Sequence, residues 1–503
     1  MPSPLFRTRP IEDAAAWTGP SEHGLRRTLS AFDLVMLGIG AIIGAGVFAT
    51  IGTAAAGDAA RPGAGPALVV SFVLTAAACG LAALCYAEFA SMVPTAGSAY
   101  TYAYATLGEL VAWIIGWDLI IEYAVGNVAV AISWANYAKT FLAGFGLDVP
   151  GWLSTDYRTA ARIPGLLDSA PHVFGVPVVF NVLAFGIVAA ITAVLVVGIR
   201  ESVSLNTVMV AVKLVVLGIF VAVGSGHVSP EHWRPFAPNG WAGVQAGSAI
   251  VFFAYIGFDA VSTVAEETRH PARDLPIGII GSLAACTIIY VVVALVFTGV
   301  VPYPDLVQRL ASEQAEPLTL ALQYADLGAW KTVTVGVVAF GSVVAHTAVL
   351  LVFQLGQPRI FFSMARDGLL PPAFARVHPR FRTPHVTTIL TGAAVGLCAG
   401  ITSIDEMVDL TNIGTLFAFV IVCLGVLILR RREPERPRAF RTPFVPVVPI
   451  LGMLSCGYLM LGLPWITWIR FALWLGIGLA VYFGYGRVRS RLAHVSSSSS
   501  TFQ

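Results

Sequence analysis

The chain has 503 residues, 57% of them hydrophobic and only 12% charged, with a formal net charge of +2. Its mean hydropathy is +0.79, and a soluble domain would carry about twice that charge. The soluble globular classes are excluded, and the chain reads as an all-α polytopic membrane protein in a lipid bilayer, with no nucleic-acid partner expected; the net charge itself says little about partners, because in a membrane protein its distribution matters more than its sum.

Stretches of about 20 apolar residues, the length that crosses a bilayer, fall at twelve places. They are 31–55, 66–90, 107–140, 177–198, 204–225, 242–266, 275–300, 332–365, 384–401, 406–430, 444–464 and 467–486, numbered here as spans 1 to 12. Residues 1–30 precede them as an N-terminal segment, and 487–503 follow as a tail with a serine tract.

Span 1 carries Gly38-Ile39-Gly40-Ala41-Ile42-Ile43-Gly44-Ala45-Gly46-Val47-Phe48 at its centre. Each glycine costs a helix about 1 kcal/mol relative to alanine, so this run predicts unwound backbone at mid-membrane. Lipid does not tolerate unpaired amides and carbonyls, so such a segment must line a cavity.

Glu122 and Asn127 lie inside span 3. Glu122 could pair with a cationic substrate, join a proton path or simply bond between helices. In span 5, Lys213 stands seven residues after Asn206. An ammonium at that depth costs at least about 2.5–3.5 kcal/mol. It can fill a cation's place beside a cavity and load or release a proton, or it can snorkel to the interface.

Span 6 repeats the peculiarity of span 1 in Phe252-Phe253-Ala254-Tyr255-Ile256-Gly257-Phe258-Asp259. Asp259 suits the start of a second half-helix. Glu266, Glu267 and Arg269 read as a gate or a solvated cluster at the end of the span. Paired breaks five spans apart are the sequence pointer to an inverted repeat with its site at the midplane. The predicted organisation is therefore a first repeat over 31–225, a second over 242–430 and two appended helices over 444–486.

In span 8, Ser342 and His346 are one helical turn apart and share a face. His346 reads as a titratable wall of a side-chain pocket or as a satisfied core histidine. The six cysteines all fall within spans, without metal-ligand spacing, and read as small packing residues. Arginines such as Arg26, Arg27, Arg430, Arg431, Arg432, Arg438 and Arg441 gather on one side, which makes both termini cytoplasmic in an inner membrane. No HExxH, GxSxG or phosphate-binding loop occurs, so the chain does not read as an enzyme.

The run GIGAIIGAGVF, the segment from Tyr86 to Tyr100, FFAYIGFDAVSTVAEE at 252–267 and MARDGLLP at 364–371 together resemble the amino acid–polyamine–organocation superfamily. Within it the chain is most similar to bacterial members of the cationic amino acid transporter branch, from about residue 25 to 485. The resemblance implies a five-plus-five inverted-repeat fold, alternating access and proton-coupled import of L-amino acids, with no cofactor beyond the proton. It implies that the substrate carboxylate meets amides at Gly44, Ala45 and Gly46, and its ammonium meets carbonyls around Ile42, Phe253, Ala254 and Ile256, with Phe253 as a lid. It also matches Lys213 to the family's lysine on span 5, reaching carbonyls near Gly40 and Ile43 and the Ser342 hydroxyl. A histidine at 346 favours neutral over cationic substrates. An antiporter, a facilitator and a non-transporting amino acid sensor are the alternatives, and a small membrane partner or a lipid would leave no mark in the sequence.

Overall fold

The computed structural model describes residues 7–8, 28–92, 98–197, 203–312 and 316–491. Most of the predicted terminal segments, and Val93–Gly97 of the second motif, lie outside these. Among the described residues, eight helices are long and apolar enough to cross a membrane, and a ninth is the bent pair Ala31–Ile42 and Gly46–Ala56, with 41° between its halves. Three shorter apolar helices, Val182–Val197, His385–Ile401 and Val447–Leu461, fall on spans 4, 9 and 11. Among the described residues the only strands are two residues each, at His172–Val173 and Val176–Pro177.

Span 1 begins with a capping box in which Ser30 and Asp33 satisfy each other's backbone amides. Its first helix ends at Ile42, Ile43 is extended, and the chain resumes as a π-turn over Gly46–Thr50. Span 6 runs as an α-helix over Gly240–Val251, tightens into a 3-10 turn at Phe252–Tyr255, and extends at Ile256. Gly257 then takes φ +114°, where a Cβ would lie 2.9 Å from the carbonyl oxygen of Ala41. Only glycine enters that region without strain, so the second break is fixed by one residue.

The two breaks meet. The turn at Gly46–Thr50 packs on Phe252–Tyr255, and span 2 lies along span 7, span 3 along span 8, and span 4 along span 9. Each of spans 1 to 4 therefore touches the one five places later. Outward faces of the bundle carry Ile389, Leu397, Leu454 and Leu473, all exposed and all suited to lipid. Five cysteines are buried, but Cys398 is exposed on the face of span 9, which corrects the expectation that all six pack internally.

At the arginine-rich end, the fully buried Glu88 of span 2 accepts from Arg430 Nε at 2.8 Å and Nη2 at 2.9 Å, and from the Thr442 amide at 2.8 Å. Arg438 Nε stands 3.0 Å away. Removing one partner of a buried charged group costs about 3–5 kcal/mol. Glu88→Gln is accordingly expected to lower the detergent unfolding temperature sharply, and a curve superimposable on the parent's would contradict this account.

At the opposite end, the connection 301–330 folds back inward. Its helix Pro317–Tyr324 is buried along Leu318, Thr319 and Leu320 and packs on spans 5, 7 and 8 and on the Gly46–Thr50 turn. Burial pushes the Glu316 carboxyl at its start up to about 7, while Thr140 and Lys139 pull it back. The docked state therefore holds more protons than the undocked one, so docking weakens as pH rises from the ordinary carboxylate range through about 7. The protection of 317–324 against hydrogen exchange, taken relative to the intrinsic exchange rate at each pH, should fall from acid to alkaline pH, and Glu316→Gln should flatten that change.

Candidate functional site

The ends of four half-helices converge where spans 1 and 6 break. The amides of Gly44, Ala45 and Gly46 open the second half of span 1, at positions whose N–H groups lack a carbonyl one turn back. Such an end favours an anion, and the free carbonyls that close the preceding halves favour a cation. Approach is tight: a Cβ on Gly46 would sit 2.1 Å from Ala254 Cα, and one on Gly44 would sit 2.7 Å from a methyl of Val349. Phe253, in the turn that packs on Gly46–Thr50, is 5% exposed.

The carbonyls of Ile42 and Ala254 are not vacant. Tyr290, from span 7, places its hydroxyl 2.8 Å from the Ala254 oxygen and 3.1 Å from that of Ile42. Its ring is held against Phe72 and Tyr255. One hydroxyl proton serves two acceptors, so one carbonyl is always underused. Sequence reasoning missed Tyr290, because a tyrosine in a helix gives no sign of which backbone, about 250 residues away in span 1, its hydroxyl will find. With Tyr290→Phe both carbonyls lose their donor, at about 1–3 kcal/mol for each buried group left unpaired. The empty protein should melt lower, and a substrate ammonium should restore more stability to the variant than to the parent.

Lys213 is fully buried, and its Nζ donates to the carbonyls of Gly40 at 2.7 Å and Ile43 at 2.9 Å. It thus closes the end of the first half of span 1 and does not reach the interface. The Ser342 hydroxyl, which the resemblance puts within reach of that ammonium, makes no hydrogen bond. The Ser342 carbonyl, not its hydroxyl, is engaged, by the next turn of its own helix.

That engagement involves His346, whose Nδ1 lies 2.6 Å from the Ser342 carbonyl and whose Nε2 lies 2.7 Å from Ser133 Oγ. A carbonyl only accepts, so Nδ1 carries a proton. The ring stands between Phe48 and Tyr137, both 5.6 Å away by centroid. His346 therefore walls the Gly46–Thr50 turn, with both nitrogens committed.

Asn127 gives its amide nitrogen to Gln354 Oε1 at 2.5 Å, and Gln354 reaches on to Thr192. It ties spans 3, 8 and 4 together. Glu122 sits in a π-turn, Ile121–Val125, which packs on spans 8 and 10. Its buried carboxyl faces Asp259, Asp118 and Thr415. Asp259 lies in the first turn after the second break, where Gly257 holds the cap position that the sequence suggested for the acid. The backbone carbonyl of Glu267 accepts from the amides of Thr28 and Leu29, fastening the entry of span 1 to the end of span 6.

The chain matches the amino acid permease family over residues 29–490. It is 47% identical over 492 residues to a branched-chain amino acid permease of Bacillus subtilis, covering 98% of this chain and 100% of that protein. It is 44% identical over 490 residues to a methylthioribose transporter of the same organism, covering 97% and 99%. A vacuolar cationic amino acid transporter of Arabidopsis thaliana is 36% identical over 438 residues, covering 86% of this chain and 68% of the relative. Similarity to the two bacterial transporters thus exceeds that to this cationic relative.

Proposed function

Because the chain belongs to the amino acid permease family, we propose that it is a proton-coupled importer of neutral L-amino acids in the cytoplasmic membrane, working by alternating access. The observation that carries this reading is the Lys213 ammonium held on the Gly40 and Ile43 carbonyls. It joins a proton carrier directly to the helix whose second half offers amides to a carboxylate. Loss of the proton removes the charge that strengthens both hydrogen bonds and so loosens the break, and protonation and substrate occupancy therefore bias the same backbone.

In this reading the bundle has twelve spans in a five-plus-five inverted repeat, which the contacts of spans 1 to 4 with spans 6 to 9 support. The arginine-rich end is cytoplasmic. Glu122, facing Asp259, serves a proton path and not the substrate. The branched-chain amino acid permease among its relatives and the committed nitrogens of His346 favour small or branched aliphatic side chains over cationic ones.

The test is uptake of labelled alanine, leucine, arginine and methylthioribose into proteoliposomes, with and without an inward proton gradient. Gradient-dependent accumulation of the neutral amino acids is expected. Counterflow that ignores the gradient would make the protein an exchanger, in which Lys213 only takes a cation's place. Binding without flux would make it a sensor, and uptake of methylthioribose alone would overturn the substrate class.

A further inference from the structure

A cavity of about 460 Å³ opens at the end of the bundle opposite the arginine-rich face, within the size range of small-molecule sites. Thr50 and Ile250 line its inner part. They stand four residues from Gly46 and three from Phe253, so the cavity lies on the way to the junction of the two breaks. Its walls are the start of span 10 and the short helix Tyr157–Arg162.

Charges of both signs line this cavity, and most are already matched. Arg61, 8% exposed, donates to Asp58 at 2.6 Å and to Asp409 at 2.8 Å. That guanidinium neutralises the two acids that a metal ion would need, which argues against a cation site. Asp405 has only a 3.5 Å contact from Thr53 Oγ1, and Arg162 makes no ion pair among the described residues. Both line the same cavity, and the charge of Arg162 is felt at Asp405. An acid and a base left over in one enclosure are complementary to a molecule that carries both charges. An uncharged sugar would leave both without a partner.

We propose that this cavity is an outer site for a zwitterionic amino acid, whose ammonium meets Asp405 and whose carboxylate meets Arg162 before the molecule moves inward. The proposal rests on the amino acid reading of the inner site. It gives the transporter a second place of recognition on one face only, and that asymmetry makes it testable.

The experiment measures uptake of labelled L-leucine by proteoliposomes in which the protein is inserted in one orientation, for the parent, Asp405→Asn and Arg162→Gln. Each variant should raise the KM at the outer face about tenfold, the equivalent of ~1.4 kcal/mol, with the KM at the opposite face unchanged. Parent uptake with unaltered outer KM in both variants overturns the outer site and leaves the inner one standing. Equal rises at both faces also overturn it, because a structural lesion has no sidedness. A parent that transports none of the amino acids tested overturns both readings.

Discussion

In proteoliposomes bearing an inward gradient of one pH unit, the parent protein should accumulate substrate up to about tenfold for each proton coupled, since ~1.4 kcal/mol corresponds to one decade. Lys213→Ala should bring that ratio to about one. The ammonium donates to two carbonyls, Gly40 and Ile43, that no helical amide satisfies. Alanine supplies neither a proton carrier nor a donor, so the gradient loses its hold on span 1. Exchange of labelled for unlabelled substrate needs no net proton movement and should survive in the variant. Gradient-driven accumulation at the parent level in Lys213→Ala would end the coupling assignment.

The second large effect concerns Gly46. Its missing side chain is the space that lets spans 1 and 6 touch, because a Cβ there would fall 2.1 Å from the Cα and 2.5 Å from the Cβ of Ala254. Neither atom can rotate away, so Gly46→Ala has to push two backbones apart. Overpacking of this kind costs typically about 1–3 kcal/mol and at times more. Here the displacement also spoils the alignment of amides and carbonyls. Substrate binding should be lost even in preparations that remain monodisperse. Gly80→Ala is the matched control, since nothing lies within 4 Å of the added methyl. Equal behaviour of the two variants would show that close approach of the broken spans is not required.

Both breaks were legible in the sequence because glycine, clustered in span 1 and single at Gly257 at the break of span 6, acts locally, through backbone freedom that needs no partner to be read. Lys213 was legible for a related reason: a charge at that depth stands out against its own helix. What could not be read depends on pairs far apart in the chain. Tyr290 is one case, and the Arg61–Asp409 ion pair, 348 residues apart, is another. The π-turn over Ile121–Val125 is invisible for a different reason. It adds one residue to a helical turn without altering composition, and only its packing on spans 8 and 10 reveals it. His346 could be placed on the face of Ser342 by periodicity, but its commitment to Ser133 required knowing how spans 3 and 8 align.

The cluster around Glu88 carries a consequence for how the protein is made. Glu88 is synthesised 342 residues before Arg430, its nearest bidentate partner. At about 5–20 residues per second, the growing chain holds this acid without its guanidinium for roughly 20 to 70 s. During that interval span 2 has to rest with Glu88 at the lipid headgroups, or be sheltered by the insertion machinery. Nascent chains arrested before residue 430 should therefore be marked for degradation, and those arrested beyond Thr442 should be spared.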